Sequence, residues 1–322
     1  MNKKRDIFQY NDSTIKTCDD VQCTNTDIPK YQCADVFRFG NFETKIRNEI
    51  QFAEYIPNVN YYIFENQYIE EVLDSINNNE NILFVGYPGT GKSSLVLYLA
   101  SVCKVPIVQI QSSGEMSEVD IIGGFQNISG NMVWVDGLIP FALKNGFWIL
   151  IDEINMVLPE ILARLHSVLD DRRHLDLREI NQVIKVTEKT IIFATMNPYD
   201  VGTKPLSASL WSRFHIVVPF DYLSFDNEVK LLIEKVNCSK EDAECIVSIA
   251  NLCRDAYRKN EMSKVVDTRM VLACGKKVKS FEFLKNDSKQ HIKRAFHTTI
   301  LSKLSYEDQS IVNCILTAKG IC

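Results

Sequence analysis

An apolar, β-prone run, Asn-Ile-Leu-Phe-Val at 81–85, leads directly into Gly86-Tyr-Pro-Gly-Thr-Gly91-Lys92-Ser93 and then into a helical pattern through 103. The loop fits G-x-x-x-x-G-K-[ST]. The strand before it and the helix after it supply the context that separates this motif from a glycine-rich structural turn. Such a unit aims backbone N–H groups at a helix N-terminus, where they cradle a polyphosphate. Gly86, Pro88, Gly89, Thr90 and Gly91 form the candidate cradle, with Ser94 in the first helical turn. Lys92 is placed to reach β and γ phosphates, and the Ser93 hydroxyl is a candidate Mg2+ ligand.

Four further β-rich runs, at 106–111, 147–151, 190–195 and 215–219, alternate with helical patterns up to residue 222. That alternation predicts an α/β core, a parallel five-stranded sheet flanked by helices. Beyond it the apolar period becomes helical, as at Ile246, Ala250, Cys253 and Tyr257, and predicts a smaller all-helical domain. Residues 1–55 are polar, rich in Asn, Asp, Lys and Thr, with one amphipathic stretch at 42–55 and no strand-like alternation. The expected organisation is an extension over 1–55, a nucleotide-binding core over 56–222 and a helical lid over 223–322.

The 322 residues carry 36 Lys and Arg against 41 Asp and Glu, a net charge of −5, which argues against a generally basic nucleic-acid coat. No apolar core follows the basic start, and no run of 18 apolar residues occurs, so the expectation is a cytoplasmic protein without a membrane span. Ten cysteines are scattered without CxxC spacing, which points to reduced thiols. Cys18, Cys23 and Cys33 share a polar segment, but no histidine lies near them to complete a tetrahedral zinc site.

A phosphate loop that hydrolyses needs a second strand to deliver a carboxylate. Phe-Trp-Ile-Leu-Ile-Asp152-Glu153 supplies two. Asp152 would hold Mg2+ and Glu153 would orient and deprotonate the attacking water. A third strand, 190–195, runs into Met196-Asn197-Pro198, which puts an amide at the carboxyl edge of the sheet. Asn197 would contact a γ phosphate or the lytic water, or it caps the turn before Pro198. Arg213 ends a helix-like segment, Leu206–Phe214, just before the last strand. It is either a surface residue or a side chain that projects into a neighbouring subunit's nucleotide.

These four motifs stand in the order and approximate spacing of the AAA+ ATPases, and the chain resembles that family. The stretch 119–177 is similar to the helix-2 insert, the Walker B approach and the following hairpin of the MoxR and dynein-related (midasin-like) branch. Residues 193–214 resemble that branch's sensor 1 to arginine-finger block. A looser resemblance to the ATPase subunit of aerobic cobaltochelatase extends through 56–64, 221–235 and 267–278.

The resemblance implies an oligomeric ring, usually a hexamer, with ATP and Mg2+ between subunits and Arg213 acting in trans. It also places Arg269 where the family's sensor 2 arginine meets the γ phosphate. It implies a protein client, with a von Willebrand factor A domain protein as the family-based expectation, and hairpins at 115–134 and 175–186 as tools for engaging it. Residues 260–304 hold ten Lys or Arg against four acids, whereas 111–171 hold nine acids against two bases. This polarity suits head-to-tail packing of subunits. Two other readings remain open. One is a nucleic-acid-directed motor using Arg172, Arg173, His174 and Arg178; the other is a nucleotide-gated scaffold that does not hydrolyse. Phosphate motifs do not distinguish ATP from GTP.

Overall fold

The computed structural model describes residues 36–39, 42–47, 52–65, 67–111, 116–198, 205–282 and 289–321. Cys18, Cys23 and Cys33 lie outside the described residues. The chain divides into two compact units: the described residues through Gly86 with Gly91–Phe220, and Tyr87–Thr90 with the residues from Asp221 on.

The first unit opens with an antiparallel pair, β1 (Val36–Phe39) and β2 (Phe42–Lys45), followed by α1 (Ile69–Asn77) and β3 (Ile82–Gly86). Then come α2 (Lys92–Val102), β4 (Ile107–Gln111), α3 (Glu118–Ile121), the hairpin β5 (Gly123–Ile128) and β6 (Asn131–Asp136), and α4 (Leu138–Asn145). After β7 (Trp148–Asp152) follow α5 (Pro159–Leu169), the hairpin β8 (His174–Leu177) and β9 (Gln182–Lys185), β10 (Ile192–Met196), α6 (Ala208–Trp211) and β11 (Ile216–Phe220). The five expected runs form one all-parallel sheet in the order β11-β3-β10-β7-β4.

Both faces of the central strands β3, β10 and β7 are covered, which explains why they read as largely apolar runs. Leu83, Ile149, Ile151, Ile192 and Ala194 point to one face and pack with Ile139 and Leu143 of α4 and Ile161, Leu165 and Val168 of α5. Ile82, Phe84, Trp148, Leu150 and Phe193 point to the other and pack with Val72 and Leu73 of α1 and Leu95, Val96 and Leu99 of α2. The strand period of two thus builds a three-layer sandwich of helices, sheet and helices.

The amino-terminal region departs from the expected polar extension. Phe37 and Ile46 are buried in the same cluster as α1 and α2, and Val36–Phe39 pairs with Phe42–Lys45 as strands. The register sets Phe39 against Phe42 at the inner end of the pair.

The second unit is helical: α7 (Phe225–Val236), α8 (Lys240–Arg258), α9 (Thr268–Ser280), α10 (Gln290–Thr299) and α11 (Tyr306–Ala318). Its own core contains Leu232, Ile246, Ala250, Cys253, Val271 and Phe296. Ser239, Asp267 and Ser305 cap α8, α9 and α11 with side-chain hydrogen bonds to first-turn N–H groups. Within this core Arg254 and Glu228 are paired in bidentate fashion at 2.6 and 2.7 Å, both fully buried. Among the described residues no helix is long and apolar enough to cross a membrane.

Candidate functional site

Open parallel sheets bind ligands outside the carboxyl ends of their strands, and β3, β7 and β10 all present polar residues there. Gly86 ends β3 in a backbone so close to β11 that an added Cβ would stand 2.1 Å from the Phe220 carbonyl oxygen. Gly91, at φ +93°, turns the chain into α2 and caps it without a side-chain hydrogen bond. A Cβ there would lie 3.4 Å from the Tyr62 hydroxyl, whose pKa burial pushes well above the ordinary phenol range.

Lys92 is the first residue of α2 and is buried; its Nζ donates to the Gly86 carbonyl at 2.8 Å, back across its own loop. Ser94 is exposed on the same first turn. An uncapped helix N-terminus, glycines where a side chain would clash or twist, and an ammonium folded over the loop fit a polyphosphate by their donor chemistry. Thr90 turns its hydroxyl inward, to the Tyr87 carbonyl at 2.8 Å.

The Ser93 hydroxyl donates to Asp152 Oδ1 at 2.7 Å, joining the start of α2 to the end of β7. That same oxygen accepts the Thr195 hydroxyl at 2.5 Å, and Thr195 Oγ1 accepts the Glu153 N–H at 3.0 Å. Glu153 sits in the left-handed region, φ 55° and ψ 54°, with an exposed side chain. A carboxylate and a hydroxyl converging on one point are hard oxygen donors suited to a divalent cation such as Mg2+. Asn197 follows β10 and is 5% exposed; its carbonyl accepts the Nδ2 of Asn155, whose Oδ1 is buried with no partner. The structure therefore brings Lys92, Ser93, Asp152, Glu153 and Asn197 to one sheet edge and adds Thr195 and Asn155. A lone threonine inside a strand carries no sequence signal beyond β propensity.

Arg213 lies elsewhere. His215 and Asn81 exchange hydrogen bonds at the amino edge, where β11 begins beside β3. Five residues of strand, about 16 Å, separate that edge from the phosphate loop. The guanidinium donates to the His166 carbonyl at 3.1 Å and to Ser209 at 2.5 Å, and it stands 3.5 Å from Asp170. Hydrogen bonds from Arg172 hold the Asp170 carboxyl below the ordinary range, and the Arg213 charge adds to this. Burial, and then Arg213, lower the pKa of His166.

In the second unit, the Tyr222 hydroxyl donates to the Pro88 carbonyl at 3.0 Å, and Tyr87 stacks on Tyr222. A Cβ on Gly89 would meet that of Asp267, the cap of α9, at 2.8 Å. Arg269 is exposed on the first turn of α9, and its side chain makes no hydrogen bond or ion pair with any described residue.

A family model, "AAA domain (dynein-related subfamily)", matches residues 81–214. An uncharacterized protein of Staphylococcus epidermidis is 31% identical over 245 residues, 74% of this chain and 90% of that protein. The chain belongs to the dynein-related AAA+ ATPases. As a member of that family it is a nucleotide-binding P-loop protein and an ATP hydrolase of a kind that commonly assembles into rings. Another relative, from Staphylococcus haemolyticus, is 30% identical over 270 residues, 79% of this chain and 98% of that one. The aerobic cobaltochelatase subunit CobS of a Sinorhizobium species is 24% identical over 276 residues, 80% of this chain and 81% of that one. A solved mutant of Thermotoga maritima RuvB, 15% identical, covers 77% of this chain and 79% of its own at TM-score 0.50, a likeness of fold alone.

Proposed function

We propose that the chain is a Mg-ATP-hydrolysing ring ATPase of MoxR type that remodels or activates a protein partner. The observation that carries this reading is the hydrogen bond from Ser93 to Asp152, with the Glu153 carboxylate exposed one residue on. Glu153 takes a proton from the attacking water, and the Asn197 side chain orients that water. Lys92 opposes charge on the β and γ phosphate oxygens, and Ser93 and Asp152 would hold Mg2+, which would supply further charge neutralisation. Arg213 completes the neighbouring subunit's site, a role supported by its place on the edge away from its own phosphate loop. Arg269 completes the phosphate contacts from the lid.

Ring subunits that share sites in this way convert hydrolysis into relative motion of core and lid. The exposed Phe125, Ile128 and Met132 on the β5–β6 hairpin and Val183 on the β8–β9 hairpin support a protein client. Likeness to the chelatase subunit supports a chelatase-like or chaperone-like task. A von Willebrand factor A domain protein is the first partner to test.

A nucleic-acid-directed motor is the second reading, and two of its four candidate cations are paired within the chain. Arg172 pairs with Asp170 at 2.7 Å, and Arg173 donates to the Thr190 carbonyl at 2.8 Å.

Glu153→Gln tests the reading directly. It should bind ATP with wild-type affinity, lose turnover by about 10²-fold or more, and retain a protein partner in the presence of ATP. Wild-type turnover in that variant would overturn the assignment.

A further inference from the structure

Thr195 is the fourth residue of β10, the strand that lies between β3, which leads to the phosphate loop, and β7, which carries the two carboxylates. Its side chain is buried, and its hydroxyl uses both of its capacities inside the site. It donates its proton to Asp152 Oδ1 at 2.5 Å and accepts the Glu153 N–H at 3.0 Å. The Asp152 oxygen it holds is the one that also accepts from Ser93. One hydroxyl therefore ties the side chain of residue 152 and the backbone of residue 153 to a rigid central strand.

The backbone conformation of Glu153 gives that tie a purpose. A glutamate at φ 55° occupies a region that L residues adopt at a cost and hold only when the surroundings over-determine it. The turn sends the two neighbouring carboxylates in different directions: Asp152 points toward Ser93, and Glu153 points out into solvent. With valine in place of Thr195 the shape would be kept, but the Glu153 N–H would lose this acceptor and Asp152 Oδ1 this donor. A hydroxyl needed only for strand packing would require neither bond.

We propose that Thr195 is a positioning residue for hydrolysis: it fixes the peptide between Asp152 and Glu153 and so sets where the Glu153 carboxylate stands. The proposal rests on Glu153 being the general base. Serine keeps the hydroxyl and the strand, so Thr195→Ser preserves the function, whereas Thr195→Val and Thr195→Ala remove it.

The test uses the full chain with Mg2+ and ATP, and carries Glu153→Gln alongside. Thr195→Val lowers kcat by about 10²-fold, the scale of a misplaced reacting group, with KM for ATP little changed, and Thr195→Ser recovers most of the loss. Independently of turnover, hydrogen exchange at the Glu153 amide quickens in Thr195→Val and stays slow in Thr195→Ser. Thr195→Ala gives the same pattern, which keeps the test valid should the valine form fail to fold. If Glu153→Gln turns over like wild type, the reading of Glu153 falls and this proposal falls with it. If Glu153→Gln is inactive while Thr195→Val keeps wild-type kcat, or if Thr195→Ser is as damaged as Thr195→Val, the positioning role alone is overturned.

Discussion

Ser93 and Asp152, 59 positions apart in the chain, share a 2.7 Å hydrogen bond at the carboxyl edge of the sheet. A hydroxyl at a helix start and a carboxylate at a strand end act here as one unit, so their losses should not add. Ser93→Ala and Asp152→Asn are each expected to lower Mg-dependent turnover by about 10²-fold or more, and the double variant to be little worse than either. Steady-state ATPase assays over a range of Mg2+ check this; additive losses would show that the two act separately.

His166 and Arg213 give a pH-dependent prediction. Burial and the Arg213 charge hold the folded-state pKa of His166 below its ordinary 6.5. Its contribution to stability is therefore present above that value and is lost as pH falls through the lowered folded pKa. Arg213→Ala removes one of the lowering causes, so an NMR titration of His166 should move upward. A downward or absent shift would contradict the electrostatic coupling.

Arg254 and Glu228 form the buried charge pair of the helical unit, with the guanidinium 3.9 Å from the centre of the Tyr222 ring and bonded to the Val266 carbonyl at 2.9 Å. Glu228→Gln leaves a buried cation without its counter-charge and is expected to cost about 3–5 kcal/mol, whereas replacing both partners by apolar residues of similar volume costs far less. Urea unfolding of the single and double variants decides this. Equal losses in both would locate the stability elsewhere.

Gly86 is required by space. The Phe220 carbonyl stands where its Cβ would be, at the last pair of β3 and β11, and the atom it would meet is backbone rather than a flexible side chain. Gly86→Ala should destabilise the core by roughly 1–3 kcal/mol through overpacking and lower the melting temperature. An unchanged melting temperature would mean that β3 and β11 can separate at low cost.

The parallel sheet was legible because strands covered on both faces must be apolar along their covered length, and residues 82–86 and 148–151 are. The residues between the motifs were harder to read. Thr195 looks like any β-branched residue in a strand; its role depends on Asp152, 43 positions away, and on a strand order that interposes β10 between β3 and β7. Arg254 sits in an amphipathic helix where arginine ordinarily faces solvent, and only its pairing with Glu228, 26 positions earlier, puts it inside. The β1–β2 pair was hidden by the polar composition around it, although Phe37 and Ile46 supply its buried side.

The central claim is that each nucleotide site is completed by a neighbour's Arg213, and mixing two inactive variants tests it most directly. Lys92→Ala lacks a working phosphate loop but keeps its arginine; Arg213→Ala lacks the arginine but keeps its loop. If Arg213 acts in trans, mixed assemblies recover roughly a quarter of wild-type turnover, the share of interfaces that pair an intact loop with an intact arginine. If light scattering shows that the two variants co-assemble and turnover stays at the level of either alone, the shared-site account is wrong.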